Sequence, residues 1–73
     1  MKLYQIHYIM DDRRIVSSVC FPTKNAARGY IKKEYANCDI SFDIPINDVT
    51  PVHIFTKKRK CFGALIEPIE VVG

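Results

Sequence analysis

Residues 2–21 alternate with a period of two, and this pattern constrains the fold more than any other feature of the chain. Tyr4, Ile6, Tyr8 and Met10 fall on one side of residues 2–10, with Lys2, Leu3, Gln5, His7 and Ile9 around them. Alternation among β-formers marks a strand. The break at Asp11-Asp12-Arg13-Arg14 has hairpin length. Residues 15–21 then return, with Ile15, Val19 and Phe21 on one face and Val16 and Cys20 on the other. A β-hairpin is therefore expected to open the fold.

Pro22-Thr23 ends the hairpin, and the Thr23 hydroxyl suits the first free amides of a helix. The period then changes to 3.6. Over residues 24–36, Ala26, Ala27, Tyr30, Ile31 and Tyr35 share one face, and Arg28, Lys32 and Lys33 share the other. Gly29 lies on the polar face, and Asn37 is the expected left-handed stop. Alternation resumes over residues 39–46, where Ile40, Phe42, Ile44 and Ile46 oppose Asp39, Ser41, Asp43 and Pro45. Pro45 predicts a short or edge strand. Residues 47–51 read as a turn, 52–56 as a strand and 57–60 as a hairpin loop. Residues 61–66 read as the returning strand, broken at Pro68, with Ile69, Val71 and Val72 as a last short strand. The expected order is β-β-α-β-β-β. The expected fold class is α+β, with one helix packed on an antiparallel or mixed sheet.

A chain of 73 residues supports a single domain spanning 1–73 with a thin core. Its hydrophobic fraction of 48% is that of a globular protein. So small a core leaves little stability for a deep catalytic cleft, and a non-enzymatic role is expected. The start of the sequence runs straight into an alternating strand, without the apolar stretch of a signal peptide, and no segment is long enough to span a membrane. Cys20, Cys38 and Cys61 are odd in number and widely spaced. They are expected to be buried or half-buried reduced thiols in a cytoplasmic protein.

The hairpin, helix and following strands resemble, in element order and in a terminal glycine after Val71-Val72, the β-grasp fold of ubiquitin-like proteins. That resemblance implies a β-grasp-like layout and an adaptor role as one alternative.

Charge is segregated along the chain. Residues 1–36 are net basic, 37–56 carry only Asp39, Asp43 and Asp48, and 57–60 are Lys57-Lys58-Arg59-Lys60. Four adjacent cations repel one another and belong at an exposed tip, where they can meet phosphates or carboxylates. Arg28, Lys32 and Lys33 form a second basic surface. Arg13 and Arg14 form a third, partly neutralised by Asp11 and Asp12. Phe55 and Phe62 flank the basic loop and read as core residues rather than stacking platforms. His7, His53 and the three cysteines lack the paired spacing of a zinc site, so no metal and no cofactor are expected. A Cys61–His53 pair has no third orienting group to support nucleophilic catalysis.

The sequence therefore predicts a small non-catalytic binding protein. It would dock on a larger protein or nucleoprotein complex through basic surfaces, in the manner of phage or mobile-element inhibitors of nucleic-acid-handling defence complexes. Direct non-sequence-specific binding of DNA or RNA is the alternative. Open strand edges at residues 39–46 and 69–72 leave a homodimer possible.

Overall fold

The computed structural model describes residues 1–58 and 60–72. It contains β1 (Lys2–Met10), β2 (Arg13–Phe21), α1 (Lys24–Glu34), β3 (Asp39–Phe42), β4 (Thr50–Phe55) and β5 (Cys61–Glu70). The strands form one five-stranded sheet in the order β2-β1-β5-β4-β3. Every neighbouring pair is antiparallel. The fold is α+β, in the expected element order. The mixed-sheet alternative is removed, and with it the parallel pairing of first and last strands that defines a β-grasp.

One face of the sheet is covered by α1. Tyr4, Ile6, Tyr8 and Met10 of β1 point to that face, as their alternation requires. Ile6 and Tyr8 are buried there with Phe21, Val52, Ile54, Ala64 and Ile66, beneath Ala27 and Ile31 of α1. Aromatic rings close the two sides of this thin core. Phe21 meets Tyr30 at 5.1 Å between ring centroids, and Tyr35 meets Tyr8 at 5.9 Å and Phe62 at 5.3 Å. Burial, and then the neighbouring Tyr35, push the Tyr8 hydroxyl up to about 12.

Thr23 caps α1 as expected, its side chain accepting from the Ala26 amide at 3.1 Å. The helix stops earlier than its period suggests. Tyr35 leaves helical geometry at φ −117° and ψ 46°, and its ring turns into the core. Asn37 is not left-handed; the Cys38 amide instead closes a turn onto the Tyr35 carbonyl at 3.0 Å.

The prolines act through register. Met1 and Val71 exchange backbone hydrogen bonds in both directions. Counting along the β1–β5 ladder then places Pro68 opposite Tyr4 at a position that makes no hydrogen bond to β1. Its missing N–H faces the side where β4 has already ended, since β4 pairs only as far as Ile66. The strand therefore runs through Pro68, and the expected separate strand at residues 69–72 is the end of β5. Pro51 does the opposite. Its carbonyl accepts from the Asp43 amide at 2.9 Å, but it has no N–H to return. The β3–β4 ladder stops at Phe42, and β3 is half as long as its alternation suggests. Ile44 and Ile46 are left exposed rather than packed.

Two tight turns use left-handed aspartates. Asp11 and Asp12 both have positive φ, as do Asn47 and Asp48, the requirement of a two-residue type I′ hairpin. Arg13 and Arg14 therefore belong to β2 and not to the turn. In β2, Ser17, Ser18 and Val19 stand against the single residue Ile6. The Ser17 hydroxyl holds this bulge by accepting from the Ile6 amide at 3.3 Å and donating to the Val19 carbonyl at 3.0 Å. Two extra residues preserve the alternation, so Phe21 returns to the covered face. Ile15 and Val19 remain exposed on the edge strand β2, and Val16 is exposed on the face that α1 does not cover.

Thr50 is fully buried, and its Oγ1 has no hydrogen-bond partner among the described residues. Leaving a hydroxyl unsatisfied costs about 1–3 kcal/mol. Thr50→Val keeps the shape and removes the hydroxyl. Urea unfolding is expected to show this variant more stable by about 1 kcal/mol, with an unchanged slope.

Candidate binding surface

The β4–β5 loop is closed at its base by Thr56. The Thr56 amide donates to the Lys60 carbonyl at 2.9 Å, and the Lys60 amide donates to the Thr56 hydroxyl at 3.2 Å. This clasp projects Lys57 and Lys58 from the end of the sheet. Lys57, Lys58 and Lys60 are exposed, and among the described residues they make no ion pair. Arg59, part of the same expected cluster, lies outside the described residues. A cavity of about 260 Å³ places the loop beside the β1–β2 turn; Met10, Asp11, Lys60 and Phe62 are among its walls.

The remaining cations are mostly spoken for. Lys2 and Lys24 converge on Asp48, the Lys2 ammonium at 2.6 Å, and the Tyr4 hydroxyl donates to the same carboxylate at 3.3 Å. Arg14 pairs with Glu67 at 3.4 Å, across β1, and not with the turn aspartates. His7 lies against the same Glu67 oxygen at 2.9 Å. Arg28 and Lys32 lean over the Phe42 ring at 5.8 and 5.6 Å, and Arg28 donates to Asn25 at 3.0 Å. Lys33 and Arg13 are exposed without an ion partner among the described residues.

The expected basic residues therefore do not merge into one surface. Phe42 stands opposite Val52, three residues back from Phe55. At a strand rise of about 3.4 Å, this places Arg28 and Lys32 roughly 10 Å down the sheet from the loop. Arg13 and Arg14 point to opposite sides of the sheet, since successive strand residues alternate.

Phe55 corrects its sequence reading. Its side of β4 is the one α1 does not cover, and it is 47% exposed immediately before the basic loop. Phe62 is half-buried against Tyr35, as expected. Cys20 and Cys61 are exposed rather than buried, and Cys38 is half-buried. Cys61 faces Phe55 across the β4–β5 ladder, whereas His53 Nε2 binds Asp43 at 2.9 Å. Among the described residues, no three His, Cys, Asp or Glu side chains come together to hold a metal ion. None of the described helices is long and apolar enough to cross a membrane.

Two charged groups escaped the sequence reading. Asp48 gave a signal in the turn-forming Asn47-Asp48 dipeptide, but its partners are more than twenty residues away. The Arg14–Glu67–His7 cluster gave none, because only the strand register brings residue 67 beside residues 7 and 14. Comparison with protein-family models, with curated proteins and with solved structures finds no match.

The Asp48 cluster has a measurable signature. Hydrogen bonds from Lys2 and Lys24 hold its carboxyl at about 2, below the ordinary 3.8. The folded pKa is depressed, so the associated stability is present above pH 3.8 and lost as pH falls through about 2. A carboxyl-carbon NMR titration is expected to give a midpoint near 2. Lys24→Ala is expected to move that midpoint back towards the ordinary carboxylate range.

Proposed function

We propose that this chain is a non-catalytic binding protein that docks on an anionic surface of a larger macromolecular partner through the β4–β5 loop. One observation carries the reading. Lys57, Lys58 and Lys60 stand exposed and unpaired among the described residues, while Lys2, Lys24 and Arg14 are bound by carboxylates of the chain itself. Unpaired cations at a loop tip attract an anionic partner and lose no internal partner on binding. The Thr56–Lys60 clasp fixes the base of the loop, which lowers the ordering cost of binding. Arg13 and Lys33 extend the field without touching the site. A small basic domain of this kind fits inhibitors or regulators of nucleic-acid-handling complexes, the class in which compact phage and mobile-element antagonists of host defence belong. That narrower assignment is an analogy from size and charge.

Direct binding of nucleic acid is the second reading, favoured by Phe55. An exposed ring beside three lysines is the combination that single strands use for stacking and phosphate contact.

The two readings separate in one experiment. The wild type and a Lys57→Glu/Lys58→Glu/Lys60→Glu variant are used for affinity capture from the native host, with and without nuclease. Docking on a protein surface predicts a partner retained after nuclease and lost with the triple variant. Direct nucleic-acid binding predicts loss on nuclease treatment and, in titrations on single-stranded DNA and RNA, affinity falling steeply with salt. That affinity is expected to drop about tenfold in Phe55→Ala, a loss consistent with one stacked base. A partner captured equally well by the triple variant would remove the loop from both readings.

A further inference from the structure

The central ladder of the sheet opens before it reaches its turns. β1 and β5 pair as far as Ile9 and Gly63, and Asp11, at φ 45°, then carries the chain away into the first hairpin. On the other side of β5, the Thr56 amide bonds to the Lys60 carbonyl. Alternation along the strand therefore turns the N–H and C=O of Cys61 away from β4 and towards β1. Counting along the β1–β5 ladder puts Asp11 opposite Cys61, but no backbone hydrogen bond joins them. Among the described residues, the main chain of Cys61 thus leaves one donor and one acceptor open at this end of the sheet.

The cavity of about 260 Å³ lies in this gap. Ile9, Met10 and Phe62 form its apolar wall. Met10 and Phe62 are half-buried, and Ile9 is 43% exposed. Pockets that enclose small molecules run from about 300 to 1,000 Å³, so this one takes a single large side chain. Charge is divided across the mouth. Lys57, Lys58 and Lys60 stand on the β5 side, and Asp11 and Asp12 on the β1 side. All five are exposed, and none has an ion partner among the described residues.

We propose that the cavity seats an apolar side chain of an extended, acidic segment of a protein partner. The inference rests on docking through the β4–β5 loop and names what docks there. The segment's main chain meets Cys61, giving an N–H to its carbonyl and a carbonyl to its amide, as one step of strand addition. The apolar side chain enters between Met10 and Phe62, and neighbouring carboxylates reach the three lysines. A nucleic-acid backbone fits less well. Phosphates are acceptors only, so they leave the Cys61 carbonyl unbonded. Their regular spacing also brings negative charge against Asp11 and Asp12, whereas a peptide can be acidic on the loop side alone.

Amide chemical-shift titration of the full chain with blocked heptapeptides tests the proposal. One peptide carries a central leucine among aspartates and glutamates, and a second carries alanine in its place. An oligothymidine of equal charge is the third probe. The leucine peptide is expected to shift Met10, Cys61 and Phe62 together with Lys57 and Lys58. It is expected to bind about tenfold more tightly than the alanine peptide, as burial of the larger side chain requires. Asp11→Asn, which keeps a residue suited to the left-handed turn, is expected to tighten the leucine peptide about twofold. Equal binding of the two peptides, with shifts confined to the loop, overturns the cavity assignment and leaves docking through the loop standing. Absence of any loop shift with either peptide overturns both. Oligothymidine shifting Met10, Cys61 and Phe62 more than the leucine peptide does would assign the cavity to a base and overturn the proposal.

Discussion

Ala27 and Ile31 of α1 lie fully buried over Ile6, Ile54, Ile66 and Val52, and the rest of the molecule depends on this one apolar contact layer. A single helix is all that shields the sheet. Each isoleucine in the layer contributes about 1.5–3 kcal/mol by leaving water. β5, the longest strand, is the centre of the sheet with β1 and β4 beside it, and these three supply Ile6, Ile66, Val52 and Ile54, four of the six residues. The two edge strands show the consequence: β2 turns apolar residues to solvent beyond Phe21, and β3 stops after four residues.

What was legible in the sequence follows from period and local chemistry. The alternation of Tyr4, Ile6, Tyr8 and Met10 predicted their common face, and Thr23 predicted the start of the helix. Both depend only on near neighbours. The errors arose where a distant strand decides the outcome. Pro68 looked like a break, but its missing N–H falls where β4 is absent. Ile44 and Ile46 looked like core continuations, but Pro51, on a different strand, ends the ladder first. Phe55 looked buried because aromatic residues in strands usually are, yet its parity in β4 turns it away from the single helix. In the candidate site, the Lys57–Lys60 cluster was legible because like charges crowded in sequence must be exposed. The neutralisation of Lys24, Lys2 and Arg14 was not, because Asp48 and Glu67 reach them only through the fold.

That internal compensation turns a weakly basic composition into a localised one. Spread evenly, a net charge of +3 would describe only general solubility. Here one carboxylate occupies two lysines, another occupies Arg14, and Phe42 underlies Arg28 and Lys32. Lys33 and Arg13 stand singly without an ion partner among the described residues, and the β4–β5 loop is where several such cations gather, at the end of the sheet beside an exposed ring. The face opposite α1 is a separate surface, on which Ile9, Val16 and Phe55 are exposed.

Amide chemical-shift mapping with a short polyphosphate tests the localisation most directly, because the probe reads only where free positive charge is accessible. Saturating shifts are predicted at Lys57, Lys58, Lys60 and the adjoining Phe55 and Cys61, and not at Lys2, Lys24 or Arg14. Largest shifts around Lys24 and Arg28, at the start of the helix, would contradict the account.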